Sequence, residues 1–224
     1  MPNYYLKLKY VNPMYEDALN KAGILDAQSL LNWDKGEMVA NKTNSSLFRY
    51  FVEGIGNVYI KKYYRHKSKK LWFLKRSYAI SEYKGNRAMA NIGLPQAEPL
   101  LAGTLRDKFG LMKCGIFVIR EVKNATALNV ILKQINNSQG NWKLEEIVKS
   151  ISNTIERMNR NRFCHSDFKS RNILVVPESK GYTIFPIDCR KPRFFLPLCE
   201  KYFINKNLKF LMAEPLIRSV WCET

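Results

Sequence analysis

Two periods of apolar and polar residues alternate along the chain, and the switches between them predict the order of its elements. In "SSLFRYFVEGIGNVYIKKYY", Ser45 to Tyr64, two runs of β-branched and aromatic residues flank "EGIGN". The glycines suit a turn, so a hairpin is expected with strands near 46–52 and 57–64. "WFLKRSYAISEYKGNRAMANIGLP" changes to helical spacing and stops at Gly93 and Pro95. "LMKCGIFVIREV" reads as a strand, and "KNATALN" as a polar link after it. In "NWKLEEIVKSISNTIERMNRN" the apolar residues fall at Leu144, Ile147, Val148, Ile151, Ile155 and Met158, the pattern of a helix with one buried face. "NILVV" and "YTIFPID", joined by "PESKG", predict a second hairpin.

Composition narrows the class. With 224 residues and 46% hydrophobic content the chain can bury a sizeable core and is not a disordered segment. Its 37 Lys and Arg against 19 Asp and Glu give a net charge of +18, which points to an anionic partner. Five cysteines without a C-x-x-C pair suggest neither a disulfide framework nor a zinc site, and a reducing compartment follows. No apolar run approaches the length of a membrane span, since Lys113 interrupts even "GLMKCGIFVI". A cytosolic protein that touches a membrane is the expectation.

The candidate chemistry lies between the long helix and the second hairpin. In "FCHSDFKSRNILVV", His165, Asp167 and Asn172 form H-x-D-x-x-x-x-N, the spacing of a phosphotransfer loop. There the aspartate orients the acceptor hydroxyl and the asparagine binds a metal ion. Asp188 closes the following strand sixteen residues after Asn172, where a second metal-binding aspartate stands in kinases, although the triplet here is Asp188-Cys189-Arg190. "VYIK", Val58 to Lys61, matches the strand motif whose lysine reaches ATP phosphates. Strand alternation places Lys61 and Lys62 on opposite faces, so only one serves that role, with Lys62 the fallback. Glu82 is the only acidic residue between Leu71 and Ala97 and has no cation at i±3 or i±4, so either a longer-range partner, expected to be Lys61, satisfies it or it stands exposed and solvated. The order hairpin, helix, strand, link, long helix, loop and hairpin is that of a protein-kinase-like fold: α+β and bilobal, with a small β-rich N-lobe over about 23–122 and a short helical C-lobe over about 123–224.

From about Gly23 to Asp188 the chain resembles the Kdo/heptose lipopolysaccharide-core kinase family, through "HSDFKSRN", "VYIKKYYR", "EYKGNRAMANIGLPQAEPLLAG" and "IFVIREV". That resemblance implies ATP-dependent phosphorylation of a lipid-linked sugar hydroxyl at the cytoplasmic face of the inner membrane. Lys61 and Glu82 would serve ATP, with backbone groups of Glu121 and Val122 reaching adenine. Asp167 would serve the acceptor hydroxyl, and Asn172 with Asp188 would hold Mg2+.

Departures keep other readings in view. "KGEMVANKTNSS" contains only Gly36 where a Gly-rich phosphate loop is expected. The sequence runs 36 residues beyond Asp188, which predicts a short C-lobe without an activation segment or peptide-binding lobe. Aminoglycoside-type and choline-type kinases use a similar loop, and a catalytically silent kinase-like binder shares its outline. The stretch "KKYYRHKSKK" with its interleaved tyrosines raises a nucleic-acid module. No nucleic acid is expected, however, and the basic stretch from Lys61 to Arg76 is assigned to an anionic membrane surface.

Overall fold

The computed structural model describes residues 4–64 and 77–223. Most of the basic stretch, residues 65–76, lies outside the described residues. The chain divides into two compact units, one of Met1–Lys84 with Ala97–Glu121 and one of Gly85–Gln96 with Val122–Thr224.

The first unit is built on a six-stranded antiparallel sheet. In chain order its elements are β1 (Tyr4–Val11), α1 (Glu16–Lys21), α2 (Ala27–Leu31), β2 (Glu37–Lys42), β3 (Ser45–Val52), β4 (Gly56–Tyr64), the first half of α3 (Tyr78–Asn91), β5 (Pro99–Asp107) and β6 (Met112–Arg120). The strand order is β1-β5-β6-β4-β3-β2. The expected hairpin is β3 and β4, turning through Gly54 at φ 79° and Gly56 at φ 93°, left-handed backbone that glycine adopts without a Cβ penalty. Alternation gives the sheet two different faces. One carries Phe48, Val58, Ile60, Ile116 and Val118 and packs against Leu19, Ile24, Leu30 and Trp33. The other carries Tyr63, Ala102 and Phe117 and is covered by Ala79, Ile80 and Tyr83.

The second unit holds the rest of α3, β7 (Thr126–Ala127), α4 (Leu128–Asn136), α5 (Leu144–Arg160), β8 (Phe163–Cys164), β9 (Ile173–Glu178), β10 (Gly181–Pro186), β11 (Arg193–Phe194), α6 (Glu200–Leu208) and α7 (Pro215–Glu223). Helix α5 buries Ile147, Val148, Ile151, Ile155 and Met158, the stripe its sequence shows. The second hairpin is β9 and β10, extended by β7 into a three-stranded sheet, while β8 pairs with β11. The expected polar link "KNATALN" contains β7 and the start of α4. Its polar opening hides the recurrence of Leu128, Ile131 and Leu132, which are buried on one face of α4.

Candidate functional site

In the first unit, strand alternation sends the two lysines to opposite faces of the sheet. Lys61 shares a sheet face with Tyr59 and Tyr63, and its Nζ stands 3.1 Å from both carboxylate oxygens of Glu82 on α3. Glu82 is 5% exposed and also accepts a hydrogen bond from the Tyr63 hydroxyl, so the carboxylate is held on two sides. The Tyr63 ring lies 5.2 Å from Lys61 Nζ, adding a cation–π contact. Lys62 points the other way, is 3% exposed, and donates to the Leu31 carbonyl at 3.0 Å, where it satisfies the C-terminal end of α2. Burial lowers its pKa.

A polar cluster occupies the end of the same face as Lys61. Arg49 and Tyr59 are directly opposed across β3 and β4. Arg49 makes a bidentate contact with Glu121, Nε at 2.7 Å and Nη2 at 3.1 Å, while Asn57 Nδ2 donates to the same carboxylate at 2.8 Å and the Tyr59 hydroxyl at 3.3 Å. The Arg49 bond leads in pulling the Glu121 carboxyl below the usual range, against burial. The Glu121 N–H is itself engaged, donating to the Asn57 carbonyl at 2.9 Å.

The second unit assembles the H-x-D loop on side chains from several elements. Asn172 Nδ2 donates to the Asp167 main-chain carbonyl at 2.9 Å and to its carboxylate at 3.1 Å. Lys169 Nζ sits 2.6 Å from the other carboxylate oxygen. Burial pushes the Asp167 carboxyl up, but Lys169, Arg171 and Asn172 together outweigh it and leave the group below its ordinary value. The loop backbone is pinned from α6, where buried Asn207 accepts from the His165 N–H and donates to the Phe163 carbonyl, each at 3.1 Å. Ser170 donates to Glu214 at 2.6 Å, just before α7. Ser166 and Asp188 adopt φ of 68° and 61°, left-handed backbone that non-glycine residues rarely hold and that accumulates at working sites.

Asn172 and Asp188 meet at one end of the β9–β10 hairpin, because the Ile187 N–H donates to the Asn172 carbonyl at 2.9 Å. Asp188 Oδ1 lies 3.0 Å from Arg190 Nε. Helix α3 passes close behind: a Cβ at Gly85 would come within 1.7 Å of the Cys189 carbonyl oxygen, so only glycine permits this approach. With both bonds of its amide nitrogen spent on Asp167, Asn172 turns its carbonyl oxygen away from that residue. One amide oxygen and one carboxylate are hard donors that fit magnesium, which takes its remaining oxygens from phosphates and water. Among the described residues no group of three His, Cys, Asp or Glu could hold a metal unaided.

Most of the residues singled out in the sequence are therefore in specific contacts: Lys61 with Glu82, Asp167 with Asn172, Asp188 beside them, and Glu121 with Arg49 just after β6, while Val122 makes no side-chain contact described above. Sequence reasoning missed Lys169, Asn207 and Glu214. Lys169 stands two residues after Asp167 within the H-x-D loop, whereas Asn207 and Glu214 come from the stretch after Asp188, where a short helical lobe is expected but no individual element is placed.

The family model of the lipopolysaccharide kinase (Kdo/WaaP) family matches residues 33–220. This chain belongs to that family. It is 23% identical over 148 residues to 3-deoxy-D-manno-octulosonic acid kinase of Pasteurella multocida (strain Pm70), a match covering 66% of this chain and 57% of that relative. A solved structure of WaaP in complex with acyl carrier protein superimposes with a TM-score of 0.64 at 16% identity, covering 98% of this chain and 89% of that one. At that identity the likeness shows the fold, and the protein-kinase-like α+β architecture is shared with this family member.

Proposed function

We propose that this chain transfers the γ-phosphoryl group of ATP to a hydroxyl of a lipid-linked sugar of the lipopolysaccharide-core type. The observation that carries the reading is the paired contact of Asn172 with Asp167, which fixes a carboxylate and an amide oxygen at the end of the hairpin that also bears Asp188. Family membership, and the named activity of the Pasteurella relative, support the phosphoryl donor and the class of acceptor.

Each side chain has a part in that reading. Lys61, oriented by Glu82 and Tyr63, presents its ammonium to nucleotide phosphates. Asp167 is ionised throughout the physiological range, so it orients the acceptor hydroxyl and takes its proton as the new P–O bond forms and the bond from the γ-phosphorus to departing ADP breaks. Lys169 stabilises that carboxylate and adds a positive charge where phosphoryl oxygens gain negative charge. Asn172 and Asp188 would hold magnesium, which would supply positive charge against the nucleotide's phosphate oxygens. The base is served by one main-chain group at the Glu121–Val122 peptide: the Glu121 carbonyl and the Val122 N–H belong to one trans peptide and point in opposite directions, so only one of them faces it.

The acceptor sits on a membrane in this reading, and the net charge of +18 suits an anionic lipid surface. Among the described residues no helix is long and apolar enough to cross a membrane. The deciding experiment is mass spectrometry of lipid-linked glycans from cells with and without the gene. Loss of one phosphate from a sugar, restored by wild type but not by Asp167→Asn, is the expected result. An unchanged phosphate pattern, together with no phosphate transfer from ATP by purified protein, overturns the reading.

A further inference from the structure

The second unit carries an exposed apolar ridge that the phosphotransfer machinery does not use. After Asp188 the chain runs through β11 into a short 3-10 turn at Pro197–Cys199 and then α6. Leu198 is 97% exposed and Leu196 71%, and Phe194 and Tyr202 are also well over half exposed. Isolated exposed apolar residues are ordinary, whereas here four fall within nine positions.

The ridge is a built feature. Buried Phe195 lies between these outward residues and stacks on Phe203 at 5.0 Å, and its N–H donates to the Arg162 carbonyl at 2.9 Å. Phe194 meets Phe163 edge to face. The Cys199 N–H donates to the Leu196 carbonyl at 2.9 Å, closing the turn that projects Leu198. Inward anchors therefore hold the leucines outward.

Charge decides what covers the patch. Lys191, Arg193 and Lys201 are exposed around it. A second copy of a chain with net charge +18 would set like charges against each other there, whereas anionic headgroups complement them. Protruding leucines and aromatic rings with basic neighbours are the composition of a surface that enters the headgroup–acyl boundary without crossing it.

We propose that Phe194, Leu196, Leu198 and Tyr202, with their basic rim, dock the protein onto an anionic lipid bilayer. This rests on the reading that the acceptor is membrane-borne, and it adds how that acceptor is met. The ridge is tied directly to the acceptor loop: the Ser166 hydroxyl, next to Asp167, donates to the Lys191 carbonyl at 2.9 Å, and Arg193 pairs with Cys164 across β11 and β8. Seating the ridge in the bilayer fixes the height of Asp167 above the plane in which lipid-linked sugars lie.

The test is co-sedimentation of the full chain with phosphatidylcholine vesicles with and without phosphatidylglycerol. Wild type should bind only the anionic vesicles. The Leu196→Ser/Leu198→Ser double variant should lose at least tenfold in binding while keeping its circular dichroism spectrum and melting temperature. Lys191→Gln/Arg193→Gln/Lys201→Gln should weaken binding and flatten its salt dependence. In Leu198→Trp, the added emission should shift to the blue on vesicle binding and be quenched by brominated lipid. Unchanged binding by the double serine variant, or unshifted Leu198→Trp emission, overturns the proposal. So does a concentration-dependent dimer that the serines abolish, which would assign the ridge to a second copy. Asp167→Asn should bind vesicles like wild type, so failure of the kinase reading would leave this result standing.

Discussion

Asn172 holds Asp167 at two points, its main-chain carbonyl and its carboxylate, with a single amide nitrogen. Rotating the Asn172 side chain breaks both contacts, whereas rotating that of Asp167 breaks only the one to its carboxylate. Lys169, at 2.6 Å, closes the opposite side of the carboxylate. The Asp167 carboxylate is therefore held on both sides.

Asp167→Asn keeps the shape of that arrangement and removes the charge. Phosphate transfer should fall by about 10²–10⁴-fold, the scale of one positioned acid–base group, with nucleotide binding nearly unchanged. Transfer rates from single-turnover mixing, beside ATP titration by calorimetry, check it. Wild-type rates in the variant would remove Asp167 from the chemistry.

Lys61 and Lys62 separate function from stability. Lys61→Ala should weaken ATP binding or turnover with a small effect on folding, because its ammonium is partly exposed and its partner is Glu82. Glu82→Ala should act through the same lysine, so the two losses combined should be smaller than their sum. Lys62→Ala should leave nucleotide binding intact and cost about 1–3 kcal/mol of stability, because the Leu31 carbonyl loses its buried donor. Urea unfolding and ATP titration on the four variants test both halves, and equal effects of the two lysines on ATP would reject the assignment.

The legible parts of the sequence were those with strong periodicity or a fixed spacing. The β3–β4 hairpin and α5 show because each buries one clean face, and the H-x-D loop shows because its chemistry fixes the separation of Asp167 and Asn172. Strands β1 and β2 escaped notice because they form the two edges of the sheet and stay largely exposed, which blurs their alternation. Strand β5 is almost wholly buried, but it opens on Pro99, and Gly103 and Thr104 interrupt its apolar run. Asn207 had no local signal. Its importance comes from two main-chain groups more than 40 residues away, a relation that only the folded chain creates.

Asn207 should act on the loop without touching substrate. Asn207→Ala leaves the His165 N–H and the Phe163 carbonyl without their partner in a buried setting, at a cost of about 1–3 kcal/mol for each orphaned group. Asn207→Asp keeps an acceptor for His165 but buries a carboxylate against the Phe163 carbonyl, so its loss should be at least as large. The turnover number should fall in both variants while KM for ATP holds, because Lys61 and Glu82 are unaffected. Steady-state kinetics beside thermal unfolding distinguishes this from a general loss of fold, in which active protein would decline with unchanged kinetic constants.

His165 should make the protein acid-sensitive. It is 1% exposed, packs against Phe168 with ring centroids 5.5 Å apart, and has its pKa pushed down to about 4. Burial is the leading cause, and nearby Asp188 and Asp167 offset only part of it. The sign follows from proton counts. Between its unfolded value of about 6.5 and the folded value of about 4, the unfolded chain binds a proton at this site that the folded chain does not, so stability falls as pH drops through that window. Above the window this residue adds no slope, and below it both states are protonated. A shift of this size corresponds to a loss on the order of 3 kcal/mol across the window. His165→Phe removes the titrating group, so the drop in unfolding free energy from pH 7 to pH 4 should be smaller in the variant than in wild type by about that amount. Urea unfolding at half-unit pH steps measures it. Parallel pH profiles for the two proteins would show that His165 is protonated as readily in the folded chain as in the unfolded one.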